Sequence, residues 1–451
     1  MDRRYFTESK KGLIIKLFTL KVMFIIPEQI LSNDMLTKEL TDRFSGPIIL
    51  SYVWWILSTA LQKKISKLYF LARDGYLLHE VAKDICNCFS LPIQCSYLCC
   101  SRASLRMPSY HLLSKEEVYQ LLLQGGYRIT LKSILERANL NENERQKVYI
   151  DCGMPNPDEE HLLNANELET LRSILKSSEV LYRLIMHKSH LAYQNAVGYL
   201  EQEGLPASEQ IALVDSGWTG SMQRSLRQLL DSLGYCGSIV GFYFGMYAKP
   251  KSQEDGEYLT WYFDHRRRTS DKITFCNNLF ECLLPAPHGM TIEYEFRNRV
   301  YAPVFLKRSN AMELKRIQTH IHQVLAYVRE YMKSMDFYSF QEQAHKRETR
   351  KRVIRYMTHP TKDEADFYGK IRFCDDITEG YHLSLAEKGQ VSVLKNYLFF
   401  PRLIRRLRKH NGEQQAELFW PYGTIAFLPK WKQSWYRWNV YLWEWIRYVR
   451  Q

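Results

Sequence analysis

The chain has 451 residues, 45% hydrophobic and 25% charged, with 21 Gly and 15 Pro; this composition excludes collagen-like, low-complexity and wholly disordered chains. Its 62 Lys and Arg against 49 Asp and Glu give a net charge of +13, and residues 301–451, with 27 basic and 15 acidic side chains, hold nearly all of it. A near-neutral body with a basic C-terminal third argues against a general nucleic-acid binder and for a local anionic partner, a phosphorylated substrate or an acidic lipid surface. The 10 cysteines lie mostly in apolar runs such as Ser96-Tyr97-Leu98-Cys99-Cys100, as reduced thiols of a cytoplasmic protein would. Cys86-Asn87-Cys88 has no second pair at zinc spacing. The run Leu13 to Ile26 is too short and too charged, with Lys16 and Lys21, to span a membrane, and no cleavable leader is expected.

In chain order, residues 1–40 read as an N-terminal extension. Gly46-Pro47 opens an apolar helix from Ile48 to Leu61. Lys67 to Ala72 is a nearly continuous apolar run, the signature of a strand buried on both faces. Arg73-Asp74-Gly75 breaks it, Tyr76 to Cys88 has helical spacing, and Ile93 to Cys100 is a second strand ending at Ser101-Arg102. Residues 114–204 read as an all-helical insertion, opened by the capping-box-like Ser114-Lys115-Glu116-Glu117. The sheet returns with the strand Gln210 to Val214, then a loop from Asp215 to Ser221, a helix from Met222 to Leu233 and a strand from Ser238 to Tyr247. The expected fold is α/β, an open Rossmann-like and mostly parallel sheet over residues 41–300. A basic, mainly helical region, 301–451, follows.

Two strand-to-helix loops carry the chemistry. Such loops offer free backbone N–H groups and the positive end of a helix dipole, which suit phosphate. Gly75, Gly217 and Gly220 let the main chain approach an anion, and Ser216, Thr219 and Ser221 add hydroxyl donors. Arg73 and Arg102, at the ends of two strands with Ser101 beside the second, are placed to clamp a pyrophosphate. Asp215 is placed to hold sugar hydroxyls or a magnesium ion. The competing reading is that Asp215 and Gly217 only cap a helix.

These residues carry a resemblance. Ile211-Ala212-Leu213-Val214-Asp215-Ser216-Gly217-Trp218-Thr219-Gly220-Ser221 resembles the strand, acidic pair and phosphate loop of type I phosphoribosyltransferases. It departs from them in Ser216, where a second acid is usual, and in Trp218, where a smaller residue is common. From about Phe44 to Lys430 the chain also resembles predicted hydrolases of the haloacid dehalogenase superfamily encoded in bacterial surface-polysaccharide loci. Phe70-Leu71-Ala72-Arg73-Asp74-Gly75, Tyr97 to Arg102, Val214 to Gly220 and Ala286-Pro287-His288-Gly289 carry this likeness. Those phosphatases need an Asp nucleophile with a second Asp two positions on, and this sequence has no D-x-D.

What remains implies the phosphoribosyltransferase-like portion of capsule- or lipopolysaccharide-building enzymes. Such an enzyme transfers a phosphorylated sugar from a pyrophosphate-activated donor to a glycan or lipid-linked glycan acceptor, with magnesium. In that reading Arg73 and Arg102 take the pyrophosphate, Thr219 to Ser221 the 5-phosphate, and Asp215 the ribose or the metal. The candidate catalytic groups are Asp74, Asp215, His288 and Glu281, the last two as bases for the acceptor hydroxyl. A turn histidine that only hydrogen-bonds, and a buried Glu paired with an Arg, are the plainer readings of His288 and Glu281. The alternatives at the level of function are a haloacid dehalogenase-type phosphohydrolase and a non-catalytic module docking a polysaccharide complex to a membrane.

Near the C-terminus, Trp431, Trp435, Trp438, Leu442, Trp445 and Val449 form one stripe, with Lys432, Arg437, Arg447 and Arg450 off it. The segment Arg402 to Lys409 adds further positive charge. The pattern suits an anionic membrane surface, on the inner face of the cell membrane, or packing against protein.

Overall fold

The computed structural model of the protein describes residues 36–449 apart from 125–127, 251, 253, 267–268, 309, 375, 377–378 and 408–417. Most of the extension 1–40, the arginines 267, 268 and 450, and the end of the basic run before residue 410 therefore lie outside the described residues. The elements in chain order are α1 (Gly46–Gln62), β1 (Lys67–Leu71), α2 (Gly75–Phe89), β2 (Gln94–Leu98), α3 (Arg102–Ser109), α4 (Lys115–Leu122), α5 (Leu131–Glu136), α6 (Glu142–Asp151), α7 (Ala165–Ser177), α8 (Glu179–Gln202), β3 (Gln210–Trp218) and α9 (Ser221–Ser232). They continue with β4 (Ser238–Met246), β5 (Glu257–Phe263), α10 (Thr269–Thr274), α11 (Asn277–Cys282), β6 (Thr291–Arg297), β7 (Val300–Phe305), α12 (Ala311–Met332), α13 (Glu342–Val353) and α14 (Lys362–Gly369). Last come β8 (Arg372–Phe373), β9 (Leu383–Ser384), α15 (Phe399–Leu407), α16 (Pro421–Ile425) and α17 (Lys430–Val449).

The fold is α/β. Strands β1 to β5 form one wholly parallel sheet in the order β2-β1-β3-β4-β5. The two-residue period of each strand sends alternate side chains to opposite layers. Leu68, Phe70, Ala212, Val214, Val240 and Phe242 pack with α1, α2 and the C-terminal helices, while Tyr69, Leu71, Ile211, Leu213 and Ile239 pack with α8 and α9. Both faces are thus covered, which is why the strand sequences read as continuous apolar runs rather than alternating ones. The order reverses between β1 and β3, and open α/β sheets bind ligands at such a switch point, beyond the carboxyl ends of the strands.

Helices α4 to α7 and the first half of α8 build a core of their own around Val118, Tyr119, Ile134, Val148, Leu171 and Ile185. Helix α8 is about 36 Å long at 1.5 Å per residue. It carries Leu181 and Ile185 into that core and Ala196, Tyr199 and Leu200 into the sheet layer. The C-terminal helices share the sheet's core, since Val324, Val328, Val353, Trp420 and Val440 belong to the cluster that holds α1. Trp54 of α1 joins the two regions: its indole N–H donates to Phe337 O at 3.0 Å and its ring stacks on Phe337 at 5.3 Å. Trp54→Ala is expected to cost about 3–5 kcal/mol, the usual range for a large buried aromatic, read from urea unfolding of the whole chain. The run Leu36–Gln62 is long and apolar enough to cross a membrane by length and composition, but 78% of that window is buried inside the fold.

Three features differ from the sequence reading. Strand β3 does not stop at Val214 but runs on to Trp218, so Asp215, Ser216, Gly217 and Trp218 are strand residues rather than a loop. The long neighbour β4 extends the pairing through Asp215↔Tyr243, Gly217↔Gly245 and Trp218↔Met246. Gly217 makes this possible: its φ is +114°, and a Cβ there would sit 2.4 Å from Gly245 O. The fifth strand, β5, joins β4 in parallel through the short stretch 247–256, with no helix among its described residues, whereas parallel neighbours ordinarily announce themselves by a crossover helix. The hairpin β6–β7 turns on Asn298 and Arg299, both at positive φ. That is a primed two-residue turn without the glycine that marks one in a sequence.

Candidate functional site

The site grows from the place where β1 ends and β3 continues. β1 finishes at Leu71, and the chain turns through Ala72-Arg73-Asp74 into α2. Gly75 is needed at the start of that helix because a Cβ would lie 2.7 Å from the Phe70 carbonyl carbon. Asp74 stands at the N-cap of α2 but makes no capping hydrogen bond. Its carboxylate instead accepts from Ser216 Oγ, so the turn after β1 is joined side chain to side chain to the end of β3. Tyr52 of α1 pins the same stretch, its hydroxyl lying 2.7 Å from Asp215 O.

Beyond Ser216, Trp218 takes a φ of +80° and its indole N–H donates to Glu281 Oε1 at 2.6 Å. Its ring packs on Phe275 and Phe280, which fixes α11 against the end of β3. Asp74, Asp215 and Glu281 therefore form one carboxylate cluster at the switch point. Each keeps an exposed edge, yet protein crowds the remaining sides. Desolvation is the main cause that raises Asp74 above the ordinary carboxylate range and pushes Asp215 and Glu281 up to about 8. Repulsion from Asp74 adds to the rise at Asp215 and Glu281, whereas Arg102 lowers all three and the Trp218 N–H lowers Glu281. At neutral pH the cluster holds protons that free carboxylates would release.

A raised folded-state pKa carries a definite sign for stability. The folded chain keeps a proton on Asp215 that the unfolded chain loses above its ordinary value of 3.8, so stability falls as pH rises from there to about 8. Asn at 215 can still accept from the Ser216 and Gly217 N–H groups that face this carboxylate. Asp215→Asn is expected to raise the Tm at pH 8 and leave it nearly unchanged at pH 4, as thermal scans across pH would show.

Asp74 and Glu281 open onto a cavity of about 710 Å³. Its wall carries Arg73, Arg128, Lys307, Arg308, Arg316 and Arg372. Arg73 pairs with Glu379. Among the described residues, Arg128, Lys307, Arg308 and Arg316 have no carboxylate within 4.0 Å, the limit for a salt bridge. Partial desolvation is the main cause that lowers the Arg308 pKa, with repulsion from Arg73 next; attraction from Glu313 and Glu379 opposes the shift, and a smaller repulsion from Arg316 adds to it. Cations gathered on one wall without salt bridges among the described residues form a well for a polyanion.

The other sequence candidates are distributed as follows. Arg73 and Asp74 line the cavity with Glu281, and Ser216 lies against Asp74. Arg102 opens α3 close enough to lower the carboxylates. Ser101 caps α3, accepting from Ser104 N and donating to Thr291 O at 2.6 Å. His288 is close to Arg73, with Nε2 2.8 Å from the Tyr97 hydroxyl and Nδ1 2.8 Å from Gly289 O. Both ring nitrogens are engaged, and burial lowers its pKa, which favours the neutral ring.

Thr219, Gly220 and Ser221 do not line the cavity. Thr219 is exposed, and Gly220, at a φ of +67°, leads directly into α9. Because β3 consumes the expected loop, only two residues separate strand from helix, and neither lines the arginine-walled cavity. Asp215 does not line it either, and among the described residues no three His, Cys, Asp or Glu side chains converge as a metal cage would.

Sequence reasoning missed Arg128, Lys307, Arg308, Arg316, Arg372 and Glu379, which come from separate segments with no shared motif. The basic bias of the C-terminal third was the one signal pointing to most of them. Chemically, the arrangement pairs an anion-binding wall with carboxyl groups able to take or give a proton near neutrality. No protein-family model and no curated protein matches the chain.

Proposed function

We propose that the protein is a transferase that moves a phosphorylated sugar from a pyrophosphate-activated donor, of the phosphoribosyl pyrophosphate kind, to a glycan acceptor in bacterial capsule or lipopolysaccharide synthesis. The observation that carries this reading is the cavity in which cations, four of them without a salt bridge among the described residues, face Asp74 and Glu281 at the sheet's switch point. Displacement of pyrophosphate from C1 passes through a cation-like sugar. The protein then acts by positioning and by neutralising the leaving group, with little covalent help.

In this reading Arg308, Arg316 and Lys307 take the phosphate charge that the sequence had assigned to Thr219, Gly220 and Ser221. The acceptor oxygen bonds to C1, the C1–O bond breaks, and its electron pair leaves with pyrophosphate. The acceptor proton passes to the Glu281 carboxylate. Asp74, held by Ser216, faces the developing positive charge on the sugar. Among the described residues no three protein ligands converge; the magnesium expected from the sequence would be held by one or two of these carboxylates together with the donor's phosphates, and would add positive charge to that of the arginine wall.

A haloacid dehalogenase-type phosphohydrolase fits less well. Its nucleophile would be Asp74, but Gly75 and Tyr76 follow where a second acid two residues on is required. A thermal-shift screen of the whole chain separates these readings, because a ligand bound at 100 times its Kd stabilises by about 2.7 kcal/mol. Phosphoribosyl pyrophosphate is expected to raise the Tm by several degrees, nucleotide sugars and ribose 5-phosphate by much less. Equal shifts for all, or none, would overturn the assignment. Hydrolysis of a generic phosphate ester that is lost in Asp74→Asn would favour the phosphohydrolase.

A further inference from the structure

Helix α17 was expected to bear a single tryptophan stripe, and the structure turns that stripe outward. Trp431, Trp435, Trp438 and Trp445 are 77%, 55%, 48% and 45% exposed, whereas Asn439, Val440 and Trp443 on the opposite side are buried. The helix is not a loose tail. Asn439 Oδ1 accepts from Phe399 N at 2.8 Å, the Arg402 guanidinium sits 4.4 Å over the Trp443 ring, and Tyr448 stacks on Tyr247 at 5.6 Å. The body thus holds four indoles in a row about 21 Å long, at 1.5 Å per residue.

The character of the row identifies its partner. None of the four indole N–H groups donates to an acceptor among the described residues, so each keeps both an apolar body and an unmet polar tip. Such side chains favour the boundary between headgroups and acyl chains over a dry protein core. Lys430 and Lys432 stand at the N-terminal end of the row, Lys432 Nζ lying 4.8 Å over the Trp431 ring. The one acid of the helix, Glu444, is tied to Arg447 at 3.5 Å. A cationic, acid-poor, tryptophan-bearing ridge is complementary to an anionic lipid surface.

We propose that α17 lies flat on an anionic bilayer, with Trp431, Trp435, Trp438 and Trp445 in the headgroup layer and Lys430 and Lys432 on lipid phosphates. This is independent of what the cavity binds. The test uses the whole chain and sedimentation with vesicles of phosphatidylcholine containing phosphatidylglycerol. The wild-type chain is expected to pellet with them, and its partition to fall about a hundredfold when all four tryptophans become alanine.

Brominated lipid should quench part of the wild-type tryptophan emission, a readout that needs no variant. Because the four side chains are exposed, the quadruple variant should keep a near wild-type Tm. A wild-type chain that stays in the supernatant would overturn the proposal. So would a variant that binds as well as wild type, or equal binding to pure phosphatidylcholine. If the substitutions only split a dimer and leave vesicle binding unchanged, the ridge belongs to a second copy of the chain and the proposal fails.

Discussion

Replacing Arg308 and Arg316 together by alanine is expected to weaken binding of phosphoribosyl pyrophosphate at least about 100-fold, since each hydrogen bond between charged partners contributes about 1.5–3 kcal/mol. The free protein should hardly notice. Neither side chain has a salt-bridge partner among the described residues, and at Arg308 desolvation and repulsion from Arg73 stand against the longer-range attraction of Glu313 and Glu379. The Tm without ligand should therefore stay level or rise slightly. Arg137→Ala gives the contrast: this guanidinium is buried against Asp376 at 2.6 Å, and breaking a buried pair by removing one member should cost about 3–5 kcal/mol. Isothermal calorimetry and thermal unfolding on the same variants read both effects. Unchanged affinity in the Arg308 and Arg316 double variant would remove the cavity from the account.

The second large effect falls on turnover. Glu281→Gln keeps the shape and an acceptor for the Trp218 N–H but cannot take a proton, and losing a general base costs about 10²–10⁴ in rate. Glu281 must be ionised to act, and it is pushed up to about 8. The wild-type rate should therefore climb about tenfold per pH unit below that value and level off above it. Glu281→Gln should be slow and flat across the same range. Trp218→Phe removes a hydrogen bond that favours the carboxylate, so its profile should move to higher pH with donor affinity retained. A steep wild-type profile that survives in Glu281→Gln would assign the proton to another group.

The sheet was legible in the sequence wherever burial on both faces wrote a continuous apolar run, as in Leu68 to Leu71 and Ile211 to Val214. It was illegible where pairing depended on a distant neighbour. β3 passes through Asp215 and Gly217 because β4 offers it Tyr243 and Gly245, and nothing local to those residues says so. Asp74, Asp215 and Glu281 were readable singly, as acids at strand ends or in an apolar helix. That Trp218 and Ser216 bind them into one cluster depends on side chains that meet only in the folded chain. The cationic wall was hidden for the same reason, since Arg128 comes from the helical insertion, Arg308 and Arg316 flank the start of α12, and Arg372 lies in β8. At α17 the spacing showed the stripe, but its direction followed from Asn439 and Trp443 taking the inner side.

Diffraction from crystals grown with phosphoribosyl pyrophosphate tests the central claim most directly. The account predicts pyrophosphate density within hydrogen-bond distance of Arg308 and Arg316, with the sugar C1 turned toward Glu281. Density at Gly220 and Ser221, with the arginine-walled cavity empty at saturating ligand, would contradict it.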